Sequence, residues 1–235
     1  RDRDVTGVQT CALPILLSAN GTIFTYEREG IIPGLLKRWY AERKEMQKKL
    51  KEAIASGDKE AEEYWDKRQL VKKINLNSLY GAILNQGCRF FDKRIGQSTT
   101  LTGRQITKHM AAKVNEIITG DYNHLGMANI YGDTDSGYFS AYPVMKDLPE
   151  FADFAWSKEN VVELYDQIGN LTNESFPEFM RKAFNCPEKN GAIIKAAREL
   201  CATSGLFITK KRYGVVIYDK DGKRKDKDGK PGEIK

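Results

Sequence analysis

The sequence predicts an α+β fold: an antiparallel sheet flanked by helices, together with an antiparallel two-helix hairpin. Three observations carry this prediction. Two long stretches with helical apolar spacing follow one another across a short break, "GDTD" interrupts two strand-like runs, and helices and strands mix without regular βαβ alternation. The sequence contains no internal repeat.

The elements follow in chain order. "RDRDVTGVQTCALPI", residues 1–15, has neither a helical nor a strand period and reads as a non-native tail of the translated-adaptor kind. Residues 16–30 lead into a first helix over Ile31–Ala55, where Leu35, Leu36, Trp39, Tyr40, Met46, Leu50 and Ile54 keep helical spacing and Pro33 sits near the tolerated start. Ser56–Asp58 is a turn signal, and a second helical stretch runs from about Lys59 to Asn85. So short a connection predicts antiparallel packing, which makes residues 31–86 a helical hairpin.

Residues 87–218 carry the sheet and its helices. "CRFFDKRIGQSTT" reads as strand-like and loop, and "GRQITKHMAAKVNEIITG" as an amphipathic helix with Ile106, Met110, Val114 and Ile117 on one side. "MANIYGDTDSGYFSAY" is a hairpin signal. Helices recur between about Lys158 and Ala183, the chain passes through "AAREL", and a strand closes the region in "KKRYGVVIYD". Residues 219–235 are charge with Gly and Pro; beyond a turn over Asp219–Gly222 they bury too little to order themselves. Both ends suggest a chain cut from something longer.

Composition narrows the function classes. With 235 residues there is room for a real core, so folding does not call for disulfides or metals. The 38 Lys+Arg against 32 Asp+Glu give a net charge of +6, which suits a polyanionic partner. Cys11, Cys88, Cys186 and Cys201 are far apart and form no CxxC pair, so neither a zinc site nor a disulfide framework is indicated and reduced thiols are expected. No apolar run approaches the length of a membrane span, and no signal peptide is found. A soluble, cytoplasmic protein without a membrane partner is predicted.

Two clusters carry chemistry. In a strand or tight hairpin, residues i and i+2 point to one side, so Asp133 and Asp135 of "YGDTDS" project into one small volume. Two uncompensated carboxylates there would repel and one would take up a proton, whereas hard Mg²⁺ accepts a few carboxylate oxygens plus substrate phosphates. Two such ions about 4 Å apart are a general device for in-line displacement at phosphorus. The alternative is that the two aspartates merely cap a surface turn. "KKINLNSLYG", residues 72–81, places Lys73, Asn77 and Tyr80 at i, i+4 and i+7 of the second helix. That face offers a point charge for phosphate, an amide, and a ring to stack on or gate a nucleotide. As a lone pattern it would equally fit a helix that buries Leu76 and Tyr80 and leaves Lys73 in solvent.

"KKINLNSLYG", then "YGDTDS", then "KKRY" at residues 210–213 resemble family B DNA polymerases, in the order those enzymes carry these motifs. "SANGT", residues 18–22, and "ERKEMQKKL", residues 42–50, look like the replicative polymerases of tailed bacteriophages. The resemblance covers about Leu16 to Tyr218. It implies that residues 31–86 are the fingers, 87–218 most of the palm, and 16–30 the approach to the palm. It also implies that Lys73 meets the phosphates of the incoming dNTP as a catalytic cation, that Asn77 assists and that Tyr80 lines the nascent base pair. Arg43 matches a phosphate-gripping arginine; the family's next basic position one turn on is Gln47 here, with Lys48 adjacent. Asp135 is implied as a direct metal ligand, Asp133 as its supporting carboxylate, and Glu199 in "ARE" resembles a further acidic residue near two Mg²⁺ ions. Lys211 is expected on the minor-groove side of the primer-template DNA, with Lys210, Arg212 and Tyr213 around it.

The implied reaction is template-directed transfer of a nucleotide from dNTP to a primer 3′-hydroxyl. One departure bears on it. The upstream "D-x-x-S-L-Y-P-S" motif, which supplies the family's second metal-binding aspartate, is absent, and so is anything like the exonuclease domain or the thumb. The expectation is therefore a fragment that does not polymerise alone, whose partners are the missing segments and, for the parent enzyme, a sliding clamp, in host cytoplasm if phage-encoded. Two other readings remain: a non-catalytic, primer-template-binding half of a split polymerase, and a two-metal nuclease sharing only the D-x-D hairpin. Lys73 and Tyr80 argue against the nuclease, which has no need of a nucleotide-selecting helix.

Overall fold

The computed structural model describes residues 15–226 and the backbone of Glu233–Ile234. The expected non-native tail, apart from Ile15, and Cys11 within it lie outside the described residues. The chain divides into two compact units, Arg1–Thr100 and Leu101–Lys235.

In the first unit, strands β1 (Ile15–Leu17) and β2 (Ile23–Thr25) pair antiparallel across the "SANGT" turn. Gly21 takes φ 82° there, a left-handed conformation glycine adopts without strain. Two helices of 26 residues follow, α1 (Ile31–Ser56) and α2 (Lys59–Leu84). Gly57 ends α1 at φ 74°, and the Asp58 side chain starts α2 by accepting the Ala61 N–H at 3.0 Å, so cap chemistry makes the predicted break. The helices run antiparallel, because early α1 residues meet late α2 residues. Glu42 pairs with Lys72, the Arg43 Nε donates to the Gln69 Oε1 at 3.4 Å, and the Lys49 ammonium lies 4.7 Å from the Trp65 ring centroid.

Helix α3 spans Lys93–Thr119, which corrects the strand-like reading of "CRFFDKRIGQSTT". The Asp92 Oδ1 accepts the Arg94 N–H at 2.8 Å as a start cap. The hydroxyls of Ser98, Thr99 and Thr100 then donate to the carbonyls of Arg94, Ile95 and Gly96, so a polar run that favours loops is absorbed into the helix.

The second unit contains β3 (Asn129–Asp133) and β4 (Ser136–Phe139), a short helix α4 (Tyr142–Met145), and the 27-residue helix α5 (Lys158–Phe184). Next come the four-residue α6 (Glu188–Gly191) and strands β5 (Leu200–Thr209) and β6 (Arg212–Lys220). Leu164, Ile168, Thr172, Phe176, Met180 and Phe184 recur every fourth residue of α5, and all are buried. Leu164 and Ile168 join Val114, Ile118, Ala128, Ala141 and Met145 in the core. Within it the buried Asn115 amide donates to the Asp121 carbonyl at 2.8 Å and its oxygen accepts the Ala128 N–H at 3.1 Å, fixing the segment before β3.

β5 pairs antiparallel with β6. The sequence reading missed β5 and began its final strand at Lys210, but Lys210 and Lys211 form the turn and β6 begins at Arg212. The expectation that nothing beyond the Asp219–Gly222 turn orders itself is also corrected. β7 (Lys223–Arg224) and β8 (Glu233–Ile234) pair with β6, using its open backbone groups. Residues 227–232 and 235 lie outside the described residues.

Candidate functional site

In the first unit the α1/α2 hairpin carries four candidates. Arg43 is half-buried and held against α2 by Gln69. Gln47 is half-buried one turn further on, and the adjacent Lys48 is exposed and reaches Glu52 at 4.0 Å. On α2, Lys72 turns back to α1, pairing with Glu42 and lying 5.5 Å from the Trp39 ring centroid. Lys73, one residue on, is exposed, as is Asn77. Helical rotation thus divides adjacent lysines between a structural pair and a cation open to an anionic ligand. Tyr80 is half-buried, and its hydroxyl donates to the Gly96 carbonyl at 3.4 Å.

Gly96 is needed for close approach. A Cβ there would sit 2.0 Å from the Leu84 Cδ2 and 2.6 Å from its Cγ, so any larger residue would push the Leu84 side chain aside where Tyr80 bonds. The "SANGT" hairpin supports the same place. The Asn20 Oδ1 accepts the Ser18 hydroxyl at 2.7 Å and lies 2.9 Å from the Ser98 Oγ, and its Nδ2 donates to the Arg94 carbonyl at 3.3 Å.

In the second unit, Asp133 ends β3 and Asp135 lies in the turn before β4, so strand alternation does not govern how the two are related. Asp135 is exposed. Asp133 is partly buried; its Oδ2 lies 3.4 Å from the Lys211 Nζ and its Oδ1 accepts the Thr134 hydroxyl at 3.2 Å. Thr134 has φ 56°, strained for a β-branched residue, and the Thr107 hydroxyl bonds its carbonyl at 3.0 Å. An open cleft of about 310 Å³ is lined by Tyr131, Asp133, Ser136, Lys211 and Tyr213.

Aromatic rings back this cleft. Tyr131, Tyr138, Phe207 and Tyr213 have centroids 5.2 to 6.3 Å apart, joining the β3/β4 hairpin to the β5/β6 hairpin. Burial, then the hydroxyl contact with Tyr213 and repulsion from that side chain and Glu199, push the Tyr138 phenol well above its ordinary value of 10.0. It therefore stays protonated and donates to the Tyr213 oxygen at 3.4 Å. Lys210 and Arg212 are exposed on either side of Lys211. Glu199, just before β5, is exposed, and its carbonyl accepts the Asp221 N–H at 2.9 Å. Its neighbour Arg198 is clamped by Asp166 at 2.7 Å and by Asp219, which ties α5 to β6.

Among the described residues no three His, Cys, Asp or Glu side chains gather to hold a metal ion, so Asp133, Asp135 and Glu199 do not form a three-carboxylate group. The hard carboxylates of Asp133 and Asp135 still fit Mg²⁺, which is commonly bound by one or two protein carboxylates with substrate phosphates completing its sphere. No helix among the described residues is long and apolar enough to cross a membrane. The sequence reading missed Tyr131 as a site residue. Its position two before Asp133, on the same face of a strand, was the available signal.

The sequence profile of DNA polymerase family B matches residues 11–167. A DNA polymerase of Thermococcus gorgonarius is 27% identical over 205 residues, which cover 85% of this chain and 24% of that protein. The DNA-directed DNA polymerase of Enterobacteria phage T4 is 29% identical over 177 residues, covering 66% of this chain and 18% of its own length. A DNA polymerase of Paramecium bursaria Chlorella virus NY2A is 36% identical over 113 residues, covering 48% of this chain and 12% of its own. The chain thus spans about a quarter or less of these curated relatives. Lys210–Tyr213 lie beyond the matched profile but within the β5/β6 hairpin that meets the YGDTDS hairpin. With the profile covering well over half of its residues, the chain belongs to DNA polymerase family B.

Proposed function

We propose that this chain carries the nucleotide-gripping and primer-gripping parts of a phage-type replicative DNA polymerase, whose reaction is template-directed transfer of a nucleotide from dNTP to a primer 3′-hydroxyl. The observation that carries this reading is the cleft in which Asp133 and Lys211, from two hairpins, lie 3.4 Å apart beside Tyr131, Ser136 and Tyr213, in a chain of this family.

The roles follow from the chemistry of the side chains. Lys73 and Arg43 offset the charge of the triphosphate, which grows on the departing pyrophosphate, and Asn77 assists them. Tyr80 presents its ring to the sugar and base. Asp133 and Asp135 would hold Mg²⁺, which when bound lowers the pKa of the primer 3′-hydroxyl and steadies the phosphate oxygens. Lys211 pairs with Asp133 in the absence of DNA and turns to the minor-groove edge of the primer when duplex is bound. Lys210, Arg212 and Tyr213 grip the backbone without regard to sequence, as copying any template requires. Glu199 lends negative potential at the edge of the cleft. The clamp and the remaining polymerase segments are partners of the parent enzyme.

Primer extension with Mg²⁺ and four dNTPs tests this reading, first with the chain alone and then with an added family B segment bearing a further metal-binding aspartate. Extension is expected in the mixture and not from the chain alone, because the upstream "D-x-x-S-L-Y-P-S" motif that would supply the second metal-binding aspartate is not found in this sequence. It should vanish in Asp135→Ala. Silence in both, with tight binding of primed template, would favour the non-catalytic DNA-binding half; silence without binding would sink the polymerase reading.

A further inference from the structure

We propose that Tyr131 is a positioning residue for Lys211: its hydroxyl holds the Lys211 backbone at the tip of the β5/β6 hairpin, so that the lysine is presented to the cleft. The inference rests on the primer-gripping role proposed above for Lys211. Two hairpin tips bear on the cleft, and each contains a residue poorly suited to its backbone. Thr134 has φ 56° and Lys211 has φ 63°; neither is the Gly, Asn or Asp that takes the left-handed region easily. Among the described residues, the other two non-glycine residues with positive φ, Asn185 and Asp221, are of that tolerant kind. Such conformations persist where surrounding structure over-determines them.

At both tips a hydroxyl from a neighbouring element supplies that support. Thr107 on α3 bonds the Thr134 carbonyl at 3.0 Å. The Tyr131 hydroxyl on β3 accepts the Lys211 N–H at 2.9 Å. Packing fixes the Tyr131 ring, whose centroid lies 5.4 Å from that of Tyr213 and 5.8 Å from that of Phe207. The hydroxyl is therefore held in place, and it ties Tyr131, two residues before Asp133, to the residue that pairs with Asp133. Without it, the Lys211 N–H loses its bond and the two-residue turn loses its support from β3, and the ammonium is no longer directed by the backbone.

Tyr131→Phe keeps the ring and removes the bond, so the test is a double-mutant cycle on the full chain with Lys211→Ala, read as affinity for a fluorescent primed duplex. Tyr131→Phe is expected to weaken binding by about three- to tenfold, and to weaken the Lys211→Ala variant by less than about twofold, since a residue acting through Lys211 has nothing left to position. Amide hydrogen exchange at residue 211 should quicken in Tyr131→Phe while the thermal midpoint stays close to that of the unsubstituted chain. Equal losses in both backgrounds, or no loss in either, would overturn the assignment. If Tyr131→Phe lowers the thermal midpoint, the exchange measurement decides, and an unchanged rate at residue 211 overturns it. Failure of the unsubstituted chain to bind primed duplex would overturn the primer-gripping reading and this inference with it, whereas binding that ignores Tyr131→Phe would overturn this inference alone.

Discussion

Helices α1, α2 and α5 are almost equally long, at 26, 26 and 27 residues, yet α5 buries six side chains while α1 buries Ala53 and α2 buries Ile83. Length and helix propensity are therefore not what separates them. On α5 an apolar or small residue returns every fourth position, giving one continuous face to the core. On α1 and α2 charges surround the apolar positions, and Ile54, Val71 and Ile74 remain more than half exposed. The hairpin is joined instead by polar and cation–π contacts such as Glu42–Lys72 and Lys49–Trp65, which are individually weak near solvent. A region open to solvent can be built this way. One meant to hold two hairpin tips in strained conformations needs a core behind it.

The sharpest way to break this comparison is to open the core behind α5. Phe176→Ala is expected to cost about 3–5 kcal/mol, because a fully buried ring leaves a cavity its close-packed neighbours cannot refill; chemical denaturation would measure it. A loss below about 1 kcal/mol would mean that α5 is no better anchored than the hairpin.

A smaller effect is expected from pH at the same face. The buried His109 ring stacks on Phe179 at 3.9 Å, with Nδ1 2.7 Å from the Tyr122 hydroxyl and Nε2 2.9 Å from the Ser175 hydroxyl. Ser175 donates its own proton to the Thr172 carbonyl at 2.6 Å, so the neutral tautomer with its proton on Nε2 satisfies every partner. Burial holds the imidazolium below its ordinary pKa of 6.5, Lys113 adding to the shift and Glu116 opposing it. The unfolded chain thus binds more protons below pH 6.5, and the stability that neutral His109 contributes is complete above that value and lost as pH falls through it. Comparing thermal midpoints of the unsubstituted chain and His109→Gln at pH 7.5 and 5.5 checks this: the acid-induced drop should be smaller in the variant.

The smallest effect belongs to the hairpin. Glu42→Gln, which weakens the pair with Lys72, should cost less than about 1 kcal/mol, and the cost should shrink in 1 M salt because the pair is partly open to solvent. A larger, salt-independent loss would place more of the hairpin's stability in that pair than its exposure allows.

Legibility in the sequence follows the same division. The α1/α2 hairpin could be read because its break is local chemistry, Gly57 in a left-handed cap and Asp58 as a start cap. The β3/β4 hairpin and the helical character of the α5 segment could be read for the same reason, each being a period or a turn within a few residues. The start of α3 could not, because three hydroxyls that ordinarily favour loops are satisfied inside the helix, and that choice depends on what the rest of the helix packs against. β5 escaped notice because "CATSGLFIT" shows no alternation, with Cys201 alone buried in it; its identity as a strand comes from pairing with β6. In the candidate site, Lys73 and Asn77 stand on α2 as the helical period requires, while the Lys211–Asp133 pair and the Tyr131 bond join residues far apart in sequence.

By itself, then, the sequence determined the helical hairpin, the carboxylate turn and the family, because short motifs and their order are properties of the chain. Tertiary structure alone decided which of two adjacent lysines faces outward, which hydroxyl supports which strained turn, and which charged tail residues become strands. Each of those outcomes depends on a partner brought close only by folding, and a one-dimensional pattern holds no record of that distance.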